Sequence, residues 1–356
     1  MTADPLILAA SLLLIGGVIL SKTSSRLGVP SLLLFLGLGM IAGSEGLVGI
    51  EFDDFEVAQS FGVIALAFIL FSGGMSTRWT SIRPILGPGI ALASVGVVLS
   101  AIALGTLAAW ILGLDPLHGM LLGAIISSTD AAAVFSILRS RGVGVRGNLK
   151  PLLELESGSN DPAAVFLTVG LIGLIENDTT DLVSLAGSFV VQMGLGVLVG
   201  VLAAKVAVWT INKIHLDYDG LYPVLTIAFV LLIFEGTTLI GGSGFLAAYV
   251  AGLVMANSEF LHRRSLERFH DAIGWLMQIA MFVVLGLLVF PSDLPPIALE
   301  GVAIAVLLML IARPLGVVVT LLPFRLPWRE VAFVSWVGLR GAAPVILATF
   351  PIVSGI

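Results

Sequence analysis

Cysteine is absent, so the chain has neither a disulfide framework nor a thiolate metal site. Charge is scarce too. Only 11% of residues are Asp, Glu, Lys or Arg, and 58% are hydrophobic. A soluble domain carries roughly 25% charged residues and about 45–50% apolar ones. The apolar excess runs the length of the chain, which leaves no room for a soluble domain of ordinary size. The start Met1-Thr2-Ala3-Asp4 lacks a basic n-region, and no small-residue cleavage site follows the first apolar run, so that run reads as a retained span. No phosphate-binding loop, redox-cofactor motif or hydrolytic site is evident. Primary transport and enzymatic catalysis therefore lack support, and the reading calls for no cofactor and no nucleic-acid partner.

A membrane span needs about 20 mostly apolar residues. Such runs occur at 5–21, 31–48, 57–76, 84–112, 117–139, 149–175, 184–213, 220–239, 243–257, 268–290, 297–321 and 328–351. Basic residues then fall in alternate loops. Lys22, Arg26, Arg78, Arg83, Arg139, Arg141, Arg146, Lys150, Lys213, Arg263, Arg264, Arg268, Arg325 and Arg329 make fourteen of the seventeen, all on one side. The other side holds acids, among them Glu45, Glu51, Asp53, Asp54, Glu56, Asp115, Glu176, Asp178, Asp181 and Asp293, and no Lys or Arg. The positive-inside rule puts the basic loops in the cytoplasm and the N-terminus outside. An all-α polytopic membrane protein of about twelve spans is the expectation. If 5–175 and 220–356 are inverted repeats joined by a linking span at 184–213, the second repeat is one helix short. The pattern then points to a fragment, or to a form without its final helix, within one transmembrane domain over 5–356.

Ionisable groups at membrane depth are costly and mark ion or proton pathways. The fifth span carries Ser127-Ser128-Thr129-Asp130 amid apolar residues, a run able to support an unwound segment whose carbonyls and helix ends hold a cation. The sixth carries Glu156-Ser157-Gly158-Ser159-Asn160-Asp161-Pro162. Ser157 shares a helix face with Asp161, as Glu156 does with Asn160. Pro162 frees the Gly158 carbonyl, which adds to an oxygen-rich pocket suited to a hard monovalent cation. The twelfth carries Gly338-Leu339-Arg340-Gly341-Ala342-Ala343-Pro344, a predicted break at a place matching that in the fifth. Two interrupted helices crossing near mid-membrane follow, with Arg340 needing a partner and Glu156 the first candidate. A bland reading keeps Glu156 and Arg340 as a structural ion pair. Arg313 and Lys205 read as snorkelling residues, and His215, His262 and His270 as solvated loop histidines.

Taken together, Ser127–Phe135, Glu156–Pro162 and Ser335–Ala342, with Phe71–Met75 and Ala280–Gly286, resemble the NhaP-type cation/proton antiporters, and among them the bacterial potassium/proton group. The resemblance covers nearly the whole chain. It implies a homodimer of thirteen-helix protomers in the inner membrane, each with a core moving against a dimerisation domain. It implies Asp161, beside Asn160, as the carboxylate that binds either cation or proton. Thr129, Asp130 and Ser157 match residues around it, and Glu156 with Arg340 match a buried ion pair. Asp161, Ser157 and Thr129 would hold the monovalent cation. Asn before Asp goes with electroneutral exchange. Two departures stand out: relatives often carry an acid where this chain has Ser72, a candidate neighbour of the site, and the thirteenth helix and cytoplasmic regulatory region are absent. The expected function is exchange of a monovalent cation, potassium before sodium, for protons. The readings from other classes are a passive cation channel and a membrane ion sensor.

Overall fold

The computed structural model describes residues 5–145, 147–176 and 182–356. Arg146, Asp178 and Asp181 of the loop pattern, and the start Met1–Asp4, lie outside the described residues. Among the described residues the chain is helical throughout, and eight helices are long and apolar enough to cross a membrane. They are Ile7–Ser24, Phe55–Met75, Trp79–Leu112, Leu149–Glu176, Val183–Ile214, Leu221–Leu239, Arg263–Leu287 and Pro291–Phe324. The shorter apolar helices Ser31–Ala42, Pro116–Ile126, Gly244–Ala256 and Ala342–Ser354 fall in the second, fifth, ninth and twelfth runs read from the sequence.

The second run ends earlier than hydropathy suggests. Its helix stops at Ala42, and the chain turns tightly so that the Ile50 N–H donates to the Ala42 carbonyl (2.9 Å) and the Leu47 N–H to Ile41 (2.7 Å). This turn presents Glu45, whose carboxylate accepts from the Ser292 N–H (2.8 Å) and hydroxyl (2.5 Å) at the start of the eleventh span. Those two bonds hold the Glu45 carboxyl below the usual carboxylate range.

The fifth and twelfth spans are broken. Residues 127–130 separate Pro116–Ile126 from Ala131–Ser140, and residues 337–341 separate Trp328–Trp336 from Ala342–Ser354. The fourth and eleventh spans are continuous, but each contains a π-helical turn, Leu92–Gly96 in one and Leu308–Ala312 in the other. A π-turn rotates the helix face that follows it.

The main apolar core joins the third, sixth, tenth, eleventh and twelfth spans through residues such as Leu66, Leu155, Met281, Val317 and Ile346. The first and seventh spans contribute little to it. They expose Ile7, Leu12, Ile15, Val190, Leu198 and Trp209, as helices facing lipid do. Membrane helices gain little from hydrophobic burial against one another and rely on close backbone approach. The third and ninth spans show this: a Cβ on Gly74 would stand 2.2 Å from the Tyr249 carbonyl oxygen, and one on Gly252 2.2 Å from that of Phe71. Gly252→Val should therefore lower thermal stability by about 1–3 kcal/mol. Gly236→Ala, where a Cβ meets nothing within 4 Å, should not. Thermal unfolding of detergent-solubilised protein checks the pair, and equal stability of Gly252→Val and parent would contradict this account of the contact.

Candidate functional site

The two breaks meet. The Asp130 N–H donates to the Leu339 carbonyl (2.7 Å), tying one interruption to the other. Each break exposes a pair of helix ends, with partial positive charge on N-termini and partial negative charge on C-termini. Three side chains meet those ends. Asp130 Oδ1 accepts from the Ala132 and Ala133 N–H groups (2.8 and 3.2 Å), capping the half-helix Ala131–Ser140. The same carboxylate lies against Gly341, where a Cβ would overlap Oδ2, so it also faces the start of Ala342–Ser354. Only glycine at 341 leaves that space. At the negative ends, Arg340 Nη1 donates to the carbonyls of Ser127 (2.5 Å) and Ser128 (2.6 Å), and Arg313 Nη2 donates to that of Val334 (3.3 Å).

The sixth span runs beside this crossing as one helix, Leu149–Glu176, with Pro162 inside it. Asn160 is fully buried, and its Nδ2 donates to Thr129 Oγ1 (2.7 Å). Ser157 Oγ accepts from the Ala131 N–H (3.2 Å). Thr129, Asp130, Ser157 and Asn160 are thus gathered at one place. Asp161 is next to Asn160 and faces Ser128 and the charge of Asp130 across the gap. The buried Asn160 Oδ1 has no hydrogen-bond partner among the described residues, and the Ser128 hydroxyl faces the Asp161 carboxylate. Oxygens around a carboxylate are what a dehydrating monovalent cation or a proton needs.

The buried ion pair differs from the sequence expectation. Glu156 pairs with Arg313, not with Arg340: Arg313 Nη1 and Nη2 donate to Oε1 and Oε2 at 2.5 and 3.0 Å, and both residues are buried. Nor does Arg313 snorkel. It follows the π-turn at Leu308–Ala312, well inside a span that continues to Phe324. Arg340 is held by carbonyls instead, and its Nε and Nη2 are buried without a partner among the described residues. His270 is not a solvated loop residue. It is 1% exposed, hydrogen-bonded to Thr226 Oγ1 (2.8 Å) and packed against Phe71 and Phe269. Lys205, His215 and His262 are exposed. Ser72 is buried against Gly274 of the tenth span, with its Oγ 3.0 Å from where a Cβ there would stand. The sequence reading did not single out Arg313, or Ser128 as a separate site residue. The place of Ser128 beside Thr129 in the polar run was the available signal; for Arg313 it was a charge preceding Pro314.

Residues 10–356 match the family described as sodium/hydrogen exchanger, transmembrane. The chain is 45% identical over 350 residues to the K(+)/H(+) antiporter NhaP of Alkalimonas amylolytica, covering 98% of this chain and 61% of that protein. It is 30% identical to the probable Na(+)/H(+) antiporter 2 of Methanocaldococcus jannaschii, covering 95% of this chain and 82% of that protein. The structure of the sodium proton antiporter MjNhaP1 from M. jannaschii at pH 8 superposes with a TM-score of 0.82 at 25% identity, over 99% of this chain and 89% of that one. The chain therefore spans about three-fifths of the length of the Alkalimonas relative, and most of both Methanocaldococcus proteins.

Removing one partner of a buried ion pair leaves the other charge uncompensated and costs about 3–5 kcal/mol. Glu156→Ala and Arg313→Ala should each lower thermal stability by about that amount. The double variant Glu156→Leu with Arg313→Met should recover most of the loss. A double-mutant cycle on unfolding temperature with no coupling would refute the pair's role.

Proposed function

Because the chain belongs to the sodium/hydrogen exchanger transmembrane family, we propose that it is a secondary antiporter exchanging a monovalent cation for protons, with Asp161 as the shared binding carboxylate. One observation carries this reading: the charge inventory of the crossing. Arg313 is matched by Glu156, Arg340 is committed to the carbonyls of Ser127 and Ser128, and Asp130 to the N–H groups of Ala132 and Ala133. Asp161 is the acid left over, and a proton or a cation can supply its missing charge.

Coupling follows from the same inventory. With a proton bound, the site is neutral; with a monovalent cation bound, it is neutral again. Empty, it carries a net negative charge, which is expensive to carry through a low-dielectric barrier. Loaded forms cross and the empty form does not, so one ion leaves only when the other replaces it. The single carboxylate, with Asn160 beside it, supports exchange of one cation per proton. The Asn160 and Ser128 oxygens, the Ser157 hydroxyl and Thr129 are the ligands that would replace the ion's water.

Potassium is the favoured cation, supported by the name of the Alkalimonas relative, and sodium the alternative, supported by that of the Methanocaldococcus protein. The one-sided distribution of Lys and Arg supports an inner-membrane protein with its N-terminus outside. The π-turns at matching places in the fourth and eleventh spans, and the breaks in the fifth and twelfth, support inverted repeats over 5–175 and 220–356 about a linking span at 184–213. The exposed apolar faces of the first and seventh spans suit lipid and a second protomer.

Asp161→Asn should abolish cation-dependent proton movement in proteoliposomes, with insertion and thermal stability retained. A well-folded variant exchanging at the parent's rate would remove Asp161 from the mechanism, while a response to voltage alone would mark a channel and movement of neither ion a sensor. Access should alternate by displacement of a core that holds the fifth, sixth and twelfth spans. Disulfide cross-linking of an engineered cysteine pair between the sixth and ninth spans, near Gly158 and Tyr249, should stop exchange and leave cation binding intact. Normal exchange after verified cross-linking would indicate local gating at a stationary site.

A further inference from the structure

A second carboxylate, set in a mostly apolar cleft, lies outside the crossing. A cleft of about 430 Å³ opens between the third span, the eighth span and the end of the twelfth, lined by Gln59, Ser60 and Glu235 among five apolar side chains that include Phe234 and Phe350. The depths of these residues agree. Gln59 and Ser60 lie about one turn after the start of the third helix at Phe55. Glu235 lies one turn before the end of the eighth at Leu239, and Phe350 one turn before the end of the last at Ser354. All three helix ends belong to the face whose loops hold acids and no Lys or Arg. The cleft is thus a recess one helical turn deep on the acid-rich face.

Glu235 is the feature that needs a reason. A carboxylate within a membrane span faces a partner or a water-filled cavity. Glu235 is exposed and has no ion pair among the described residues, so the cleft is what it faces. Gln59 and Ser60 offer amide and hydroxyl oxygens opposite, and Glu56, one turn above them on the same helix face, stands at the rim. At roughly 30 Å³ per water, the cleft has room for an ion with its hydration shell intact. Gly62, one turn further along the third span, packs against Ile346 of the twelfth, Cγ1 lying 3.1 Å from where a Cβ would stand.

We propose that this cleft is an outer waiting site for the hydrated monovalent cation, with Glu235 as the charge that gathers it, separated from the Asp161 site by the Gly62–Ile346 contact. The inference rests on the antiport reading. Low-dielectric walls and an acid-rich rim focus the field and raise local cation concentration. Because the cleft is walled by the twelfth span on one side and the third and eighth on the other, displacement of a core containing the twelfth would part Gly62 from Ile346 and join the two sites.

The test uses proton movement driven by potassium in membrane vesicles of both orientations, so that each face is titrated separately. Glu235→Gln should raise the half-saturating potassium concentration about fivefold at low ionic strength, roughly the factor that two unit charges about 4 Å apart give in water. The shift should occur on the acid-rich face only, with the maximal rate unchanged. Glu235→Asp should restore most of the affinity, and inert salt near 0.1 M should shrink the difference by screening. Unchanged half-saturation for Glu235→Gln, as expected if a lipid chain fills the cleft, would overturn the inference, as would an equal shift on both faces. A parent that moves no protons with potassium or sodium, or an Asp161→Asn variant that exchanges normally, would sink the antiport reading instead and this inference with it.

Discussion

Every feature of the site depends on one constraint: backbone groups in a membrane must be satisfied by the protein itself. Two broken helices place four helix ends where no lipid can serve them. The solution uses a main-chain bond from Asp130 to Leu339, one carboxylate facing both N-terminal ends and an arginine at each C-terminal end. The pseudosymmetry is chemical as well as topological. Arg340 comes from the break of the twelfth span and serves the fifth, while Arg313 comes from the eleventh span and serves the twelfth. Breaking either helix alone would leave its ends unmatched, so the interruptions stand or fall together.

That solution creates the charge problem that transport exploits. Two buried guanidiniums need partners. Glu156 meets Arg313 through both oxygens, while Arg340 and Asp130 are each turned to broken helix ends. Once these are committed, the remaining carboxylate, Asp161, has only neutral groups close at hand on its own helix. Asn160 is turned toward Thr129, Ser157 toward the Ala131 N–H. The polar residues nearest the acid therefore fix the geometry of the breaks as well as offering oxygens to an ion. Substitutions at Thr129, Ser157 or Asn160 would alter both at once, which separates them from Asp161 in what their loss means.

Much of this was legible in the sequence because membrane depth makes polar residues conspicuous. Ser127–Asp130 and Gly338–Gly341 interrupt apolar runs, and both are breaks in the structure. The partner of Glu156 was not legible, for two physical reasons. Arg340 looked like the unpaired charge because a side chain alone cannot show that backbone carbonyls will be available to it, and those carbonyls exist only where the fifth span unwinds. Arg313 looked like a residue near a span end because the hydropathy window stopped at 321, whereas the helix continues to Phe324 and carries a π-turn just before the arginine. A π-turn shifts the face of every later residue, and nothing in local composition announces it. His270 misled in a similar way. Its basic neighbours Arg263, Arg264 and Arg268 mark a helix start at the membrane surface, yet the ring turns inward to Thr226 and Phe71.

Because the broken ends hold one another, the crossing is poorly suited to open by itself. Separating the fifth span from the twelfth would expose Asp130, Arg340 and the carbonyls of Ser127 and Ser128 without replacements, and each buried polar group left unpaired costs about 1–3 kcal/mol, more when charged. The contacts that join this unit, with the eleventh span tied to it through Arg313, to the third and ninth spans have a different character. Gly158 of the sixth span meets the ring of Tyr249, and Ile346 of the twelfth meets Gly62 of the third. These are small-to-large apolar contacts without ion pairs, so sliding them breaks no strong bond and leaves no charge unmatched. The energetic asymmetry places motion at the boundary of the unit and rigidity within it, and a carboxylate fixed in the rigid part would be carried past the boundary with its ligands intact.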